Sequence, residues 1–161
     1  MDRVGDDIGL RRATSDDSRK VWEWRNSEEV RSVSFSESVI PWEVHERWFS
    51  ERLADKNTYI YIAHIKSNDR IFDIGVIRFE VKGDNSGEVS VFLAPEYIGR
   101  GYGSRIIREG TERFVSESGV RRVLALIREK NTASARSFEK AGYRYSGRTG
   151  DGDVLIYEWW I

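Results

Sequence analysis

The sequence predicts an α+β fold, one mixed sheet of about seven strands flanked by helices. Seven short runs rich in β-branched and aromatic residues alternate with stretches of helical periodicity. Turns alone separate the three middle runs, which makes them antiparallel neighbours, whereas helices separate the later ones. A length of 161 residues is enough to bury a core and suits a single domain, taken as 1–161.

Each element has a local reason. Ile8 to Ala13 reads as the first strand. Ser15, Asp16 and Asp17 start a helix running to about Trp24, with acidic groups at its positive end. A second short helix falls near Ser27 to Val33. Pro41 opens a third, Trp42 to Ala54, whose apolar stripe is Trp42, Val44, His45, Trp48, Phe49 and Leu53. Tyr59–Ile65 and Phe72–Val81 are strands, and Lys82–Gly87 is the turn to a fourth, Glu88–Leu93. Arg105–Val115 reads as a helix, Val123–Ile127 as a buried strand, and Tyr143–Ser146 as a strand after another helix. Val154–Ile161 closes the sheet. No repeat, low-complexity stretch or linker divides the chain.

Composition narrows the function. Twenty-six basic and 27 acidic residues give a net charge of −1, which argues against a nucleic-acid binder that works by neutralising phosphates. With no cysteine there is no disulfide, thiolate metal site or cysteine nucleophile, and two histidines, His45 and His64, are too few for a His-based metal site without carboxylates. No signal peptide or transmembrane run is present, so the expectation is a cytoplasmic protein without membrane contact. Six tryptophans supply large apolar area, for the core or for stacking on sugars and bases.

The run Gly99-Arg100-Gly101-Tyr102-Gly103-Ser104 carries the most chemistry. A strand, three alternating glycines and a helix start make an anion cradle of backbone N–H groups backed by the helix dipole. Glycine there lets a diphosphate come close. The nucleotide-hydrolase loop needs a Gly-Lys-Ser/Thr ending, absent here, and the dinucleotide fingerprint needs Gly-x-Gly-x-x-Gly near the start of a βαβ unit. The run resembles instead the pyrophosphate motif of the GNAT superfamily of N-acetyltransferases, Arg/Gln-x-x-Gly-x-Gly/Ala. The match is Ile98-x-x-Gly101-x-Gly103, with Ile98 where the family prefers Arg or Gln, and Arg100 as the alternative cation.

A second segment, Asn131 to Tyr143, resembles the other coenzyme A motif of that family. Asn131, the small Ser134 region, Phe138, Gly142 and Tyr143 stand at the expected spacing. Asn131 and Thr132 suit a helix cap, and Gly142 suits its left-handed end. The resemblance implies acetyl-CoA as cofactor, held by residues 98–104 with Asn131, Ser134 and Phe138. It also implies that strands four and five splay and admit the pantetheine arm, leaving a backbone N–H near Phe92 or Leu93 for the thioester oxygen.

Amine acetylation needs a base, because the acceptor arrives protonated. Glu88 begins the strand on which many members place their base, and it shares a face with Ser90 and Phe92. The other reading of Glu88 is a solvated rim residue. The acid position of the family holds Phe138, which has no proton to give. Tyr143 and Tyr145 are the next candidates, with core packing the alternative for Tyr143.

The amino-terminal half is similar to the N-acetyltransferases of UDP-linked 4-amino sugars of the pseudaminic acid type. Trp24-Arg25-Asn26 and His45-x-x-Trp48-Phe49 carry that likeness. It implies an acceptor site of Trp24, Arg25, Asn26, Arg31, Trp42, His45 and Arg78, supplying cations for a diphosphate and planes for uracil and sugar. Core packing and ion pairing are the alternatives for each. A polyamine or ribosomal-protein amino terminus is a second acceptor class, and a non-catalytic acyl-CoA-binding module a different class altogether. Trp159 and Trp160 fit a homodimer contact or burial within one chain.

Overall fold

The computed structural model describes residues 7–83 and 85–161, so Asp84 in the 82–87 turn lies outside the described residues. The strands are β1 (Ile8–Arg12), β2 (Thr58–Ser67), β3 (Arg70–Lys82), β4 (Ser86–Leu93), β5 (Arg122–Arg128), β6 (Arg144–Thr149) and β7 (Val154–Trp160). The helices are α1 (Ser18–Arg25), α2 (Glu28–Arg31), α3 (Trp42–Ala54), α4 (Tyr102–Ser118) and α5 (Thr132–Lys140). All seven strands form one sheet in the order β1-β2-β3-β4-β5-β7-β6, and β4–β5 is its parallel pair. The expected α+β mixed sheet is therefore observed.

Strand alternation sorts the side chains into two layers. Ile74, Ile77, Phe79, Val89, Val123 and Ala125 pack on one side with Ile106, Ile107 and Phe114 of α4 and Phe138 of α5. On the other side, Ile60, Ile62 and Val76 meet Val21 of α1 and Phe49 of α3. This second layer covers only the half of the sheet built by the earlier strands.

Several boundaries differ from expectation. Ser15–Asp17 forms a 3-10 turn ahead of α1, capped by Thr14 in a capping box with Asp17. Asp17 is buried and takes a bidentate bond from Arg11 at 2.8 Å for each contact. Asp73 of β3 binds Arg11 and Lys20 as well, so the network ties the start of α1 to β1 and β3. Pro41 is the residue before α3. The fourth strand starts at Ser86, whose hydroxyl donates to the Gly83 carbonyl at 2.9 Å. Helix α4 extends past both expected ends, bounded by left-handed Gly101 and Gly119. β7 does not close the sheet. It lies between β5 and β6, so β6 is the edge. Trp159 packs against the core and Trp160 is exposed. Among the described residues no helix is long and apolar enough to cross a membrane.

Candidate active site

β4 hands the chain directly to the glycine-rich turn. The Ala94 N–H donates to the Ile74 carbonyl at 2.8 Å, and Pro95–Tyr97 makes a 3-10 turn. Gly99 and Gly101 then adopt φ of 80° and 87°. A Cβ on either would touch nothing within 4 Å, so backbone handedness dictates glycine there. Gly103 has another reason, since a Cβ would stand 3.0 Å from Ser137 Oγ where α4 meets α5. Gly101 caps α4 without a side chain. The amides of Gly103 and Ser104, in the first turn, have no intrahelical carbonyl to bond and form the positive end of the dipole. Ile98 and Arg100 are exposed beside the turn, with the Arg100 guanidinium 5.5 Å from the Tyr97 ring centre. Tyr102 is 2% exposed, so only its backbone faces the turn.

The sheet opens next to this turn. β4 and β5 pair only from Ser86↔Arg122 to Val89↔Ala125, and then β5 continues on β7 alone. No bulge interrupts β4, since β3 and β4 stay in unbroken register from Gly75↔Leu93 to Lys82↔Ser86. The gap comes from the departure of β5. Because Ala94 bonds toward β3, strand alternation turns the Phe92 amide toward β3 too and aims those of Val91 and Leu93 at the gap. The expectation for Leu93 fits this pattern and that for Phe92 does not.

Beside the gap, Glu88, Ser90 and Phe92 share the α1–α3 face. In register, Glu88 stands opposite Glu80 and Ser90 opposite Arg78. Glu88 is half-buried within the paired part of β4, and Ser90 is exposed at the first position past it. Arg78 Nε lies 3.2 Å from Glu80 Oε2, and its guanidinium stands 4.9 Å from the Trp48 ring centre. Burial pushes the Arg78 pKa down against the opposing pull of Glu80. Trp48, read from sequence in the apolar stripe and in the His45-x-x-Trp48-Phe49 signature but not among the acceptor-site residues, joins Arg78 here.

Other expected site residues belong to the fold. Tyr143 is buried, edge-on to Phe138, and its hydroxyl shares a 2.8 Å hydrogen bond with Thr111 Oγ1. Burial pushes its pKa up, so it is no proton donor to an open cleft. Tyr145 is exposed on β6, with β7 between it and the gap. Phe138 is 2% exposed and packs in the core rather than along a ligand. Asn131 Oδ1 accepts from the Ser134 N–H at 3.2 Å, which caps α5. His45 is buried against α1 with Nε2 3.0 Å from the Ser18 carbonyl, and burial lowers its pKa. Trp42 stacks on His45 and meets Trp22 edge-on, while Trp24 packs on the second layer. These three are packing residues.

Arg25, Asn26 and Arg31 pin residues 32–41, the loop between α2 and α3. Asn26 exchanges two 2.9 Å hydrogen bonds with the Ile40 backbone, and Arg25 and Arg31 donate to the Ser36 and Glu37 carbonyls. From the far side, Arg128 at the end of β5 donates to the Ser34 carbonyl at 2.9 Å and to Glu37 Oε2 at 2.8 Å, and Lys130 reaches the same oxygen. The loop thus runs from α1 to β5 on the face where β4 and β5 part. Sequence reading missed Arg128 and Lys130. Their signal was a cation ending the apolar run Val123–Ile127, just before the Asn131 segment. A cavity of about 430 Å³ lies apart from this region, between Thr14, Ser50 and Thr58.

Comparison with known proteins agrees with this fold. Among curated proteins none matches the chain in sequence. A domain of known structure from Methanocaldococcus jannaschii superposes with a TM-score of 0.85 at 20% identity, covering 97% of this chain and 99% of that one. The aminoglycoside acetyltransferase AAC(6')-Ib in complex with coenzyme A gives 0.79 at 21%, covering 96% and 95%. Spermidine N-acetyltransferase from Vibrio cholerae, in complex with coenzyme A and spermine, gives 0.81 at 17%, covering 95% of each chain. At these identities the likeness is one of fold. The family model described as acetyltransferase (GNAT) domain matches residues 7–144, and the chain belongs to that family.

Proposed function

We propose that the chain acts as one acetyl-CoA-dependent N-acetyltransferase domain that transfers directly to a primary amine on a small polar acceptor. The observation that carries this is a parallel strand pair parting beside an uncapped, glycine-built helix start. When bound, acetyl-CoA supplies the acetyl group as a thioester. The residue 99–104 turn holds its diphosphate through backbone amides. The Val91 and Leu93 amides serve the carbonyl oxygen as negative charge develops there. Glu88, directly or through water at Ser90, takes the proton from the acceptor ammonium. A thiolate leaves without a dedicated acid, since a free thiol has a pKa of about 8.5.

For the acceptor we infer the 4-amino group of a UDP-linked dideoxy amino sugar, supported by Arg78 and Trp48, a cation and an aromatic plane on one groove. A polyamine or other polycationic amine is the second reading, favoured by the facing carboxylates Glu80 and Glu88. Thiol release from acetyl-CoA with UDP-amino sugars, spermidine or an aminoglycoside tests both. No release with any amine returns the chain to a binding module. In calorimetry, Gly101→Val should weaken coenzyme A binding more than 10-fold without unfolding the chain, because valine resists a left-handed φ. Unchanged affinity would remove the turn from the site.

A further inference from the structure

The loop 32–41 gathers more positive charge than it neutralises. Arg25 and Arg31 reach it from one side, Arg128 and Lys130 from the other. Among the described residues, Glu37 is the one carboxylate within ion-pair distance of any of these four cations. It bridges Arg128 and Lys130 from an exposed position, and their hydrogen bonds hold its pKa down. Arg25 and Arg31 have only carbonyls as partners. Arg25 Nη1 is shut from solvent and bonded to nothing. A buried guanidinium nitrogen without an acceptor, beside a second guanidinium, leaves the positive charge of the pair uncompensated. Phe35, 61% exposed between the bonded carbonyls of Ser34 and Ser36, adds an aromatic plane.

We infer that these cations form a seat for a diphosphate carried by the acceptor, in which Glu37 stands as an internal competitor. The charge balance favours a polyanion over a single carboxylate, and paired guanidinium forks match phosphoryl oxygens. The inference rests on the acetyltransferase reading above, with this loop as a wall of the acceptor groove. To Arg25 and Arg31, already expected at the acceptor site, it adds Arg128 and Lys130 as the residues that select an anionic acceptor.

The test is calorimetric titration of inorganic pyrophosphate, and separately of UDP, into protein saturated with coenzyme A. Saturation fills the 99–104 turn, so heat then reports a second site. Both probes should bind. Arg128→Gln should weaken binding at least 10-fold, and Glu37→Gln should tighten it about threefold or more, with coenzyme A affinity unchanged in each. Arg25→Gln should also weaken it, but the Arg128 and Glu37 variants decide the matter if that protein unfolds. Absence of binding, indifference to Arg128→Gln, or weaker binding in Glu37→Gln overturns the seat. UDP binding without pyrophosphate binding also overturns it, because the base alone is then being held. Failure of coenzyme A itself to bind counts against the acetyltransferase reading, and the response of pyrophosphate to Arg128→Gln still decides the seat.

Discussion

Glu88 sits where its neighbours matter more than its own burial. It faces Glu80 across β3–β4, lies close enough to Arg78 to oppose in small part the burial that lowers that residue's pKa, and shares a face with exposed Ser90. As the base it should be sensitive to charge removal at constant shape. Glu88→Gln is expected to lower kcat by about 10²–10⁴-fold with little change in acetyl-CoA affinity, and to displace the pH–rate profile toward alkaline pH. A full kcat with an unmoved profile would hand the proton to water or to substrate. At this scale sequence gave residue chemistry without partners. Tyr143 and His45 have the functional groups a site needs, but Thr111 and the Ser18 carbonyl engage them, and both partners are distant in sequence.

Elements were more legible than residues, because periodicity and punctuation are local. Both helix ends of α4 are glycines that the sequence displays, and Asn131 caps α5 as its type suggests. Strand order was not legible. That β7 slips between β5 and β6 depends on which edge is free when the last hairpin docks, and no local pattern encodes it. The same holds for the tight seating of α4 on the sheet. A Cβ on Gly110 would come 3.0 Å from Ile77 Cδ1 and 3.3 Å from Phe79 Cε2. Alanine would gain about 1 kcal/mol of helix propensity. Overpacking against these buried side chains costs about 1–3 kcal/mol, so Gly110→Ala should lower stability by up to about 2 kcal/mol net. Denaturant unfolding checks this, and a more stable variant would mean that the helix can lift off the sheet freely.

For the molecule as a whole, acid is the revealing stress. Burial disfavours the charged form of His45, and the Ser18 carbonyl only partly offsets this, so its folded pKa lies below the ordinary 6.5. The unfolded chain therefore takes the proton first. The stability held by neutral His45 is complete above pH 6.5 and is lost as pH falls toward the folded value. Asp17 acts lower on the scale. Burial opposes its charge, but Arg11, the Thr14 amide and Lys20 outweigh that and hold its pKa below 3.8. Its contribution is present above that value and fades beneath it. The melting temperature should fall between pH 7 and 5, and His45→Gln, less stable at pH 7, should flatten that fall. An equal slope in the variant would place the acid-sensitive group elsewhere.

The short contact between β4 and β5 has a mechanical meaning. Four rungs and the Arg121-to-Asn85 backbone bond join two blades of sheet that part beyond Val89. A small rotation about that hinge line would carry β5, β7 and β6 together and widen the slot most at Leu93. Cargo wedged in the slot would set the angle between the blades, and with it the distance from the Arg128 end of β5 to the loop that Arg128 grips.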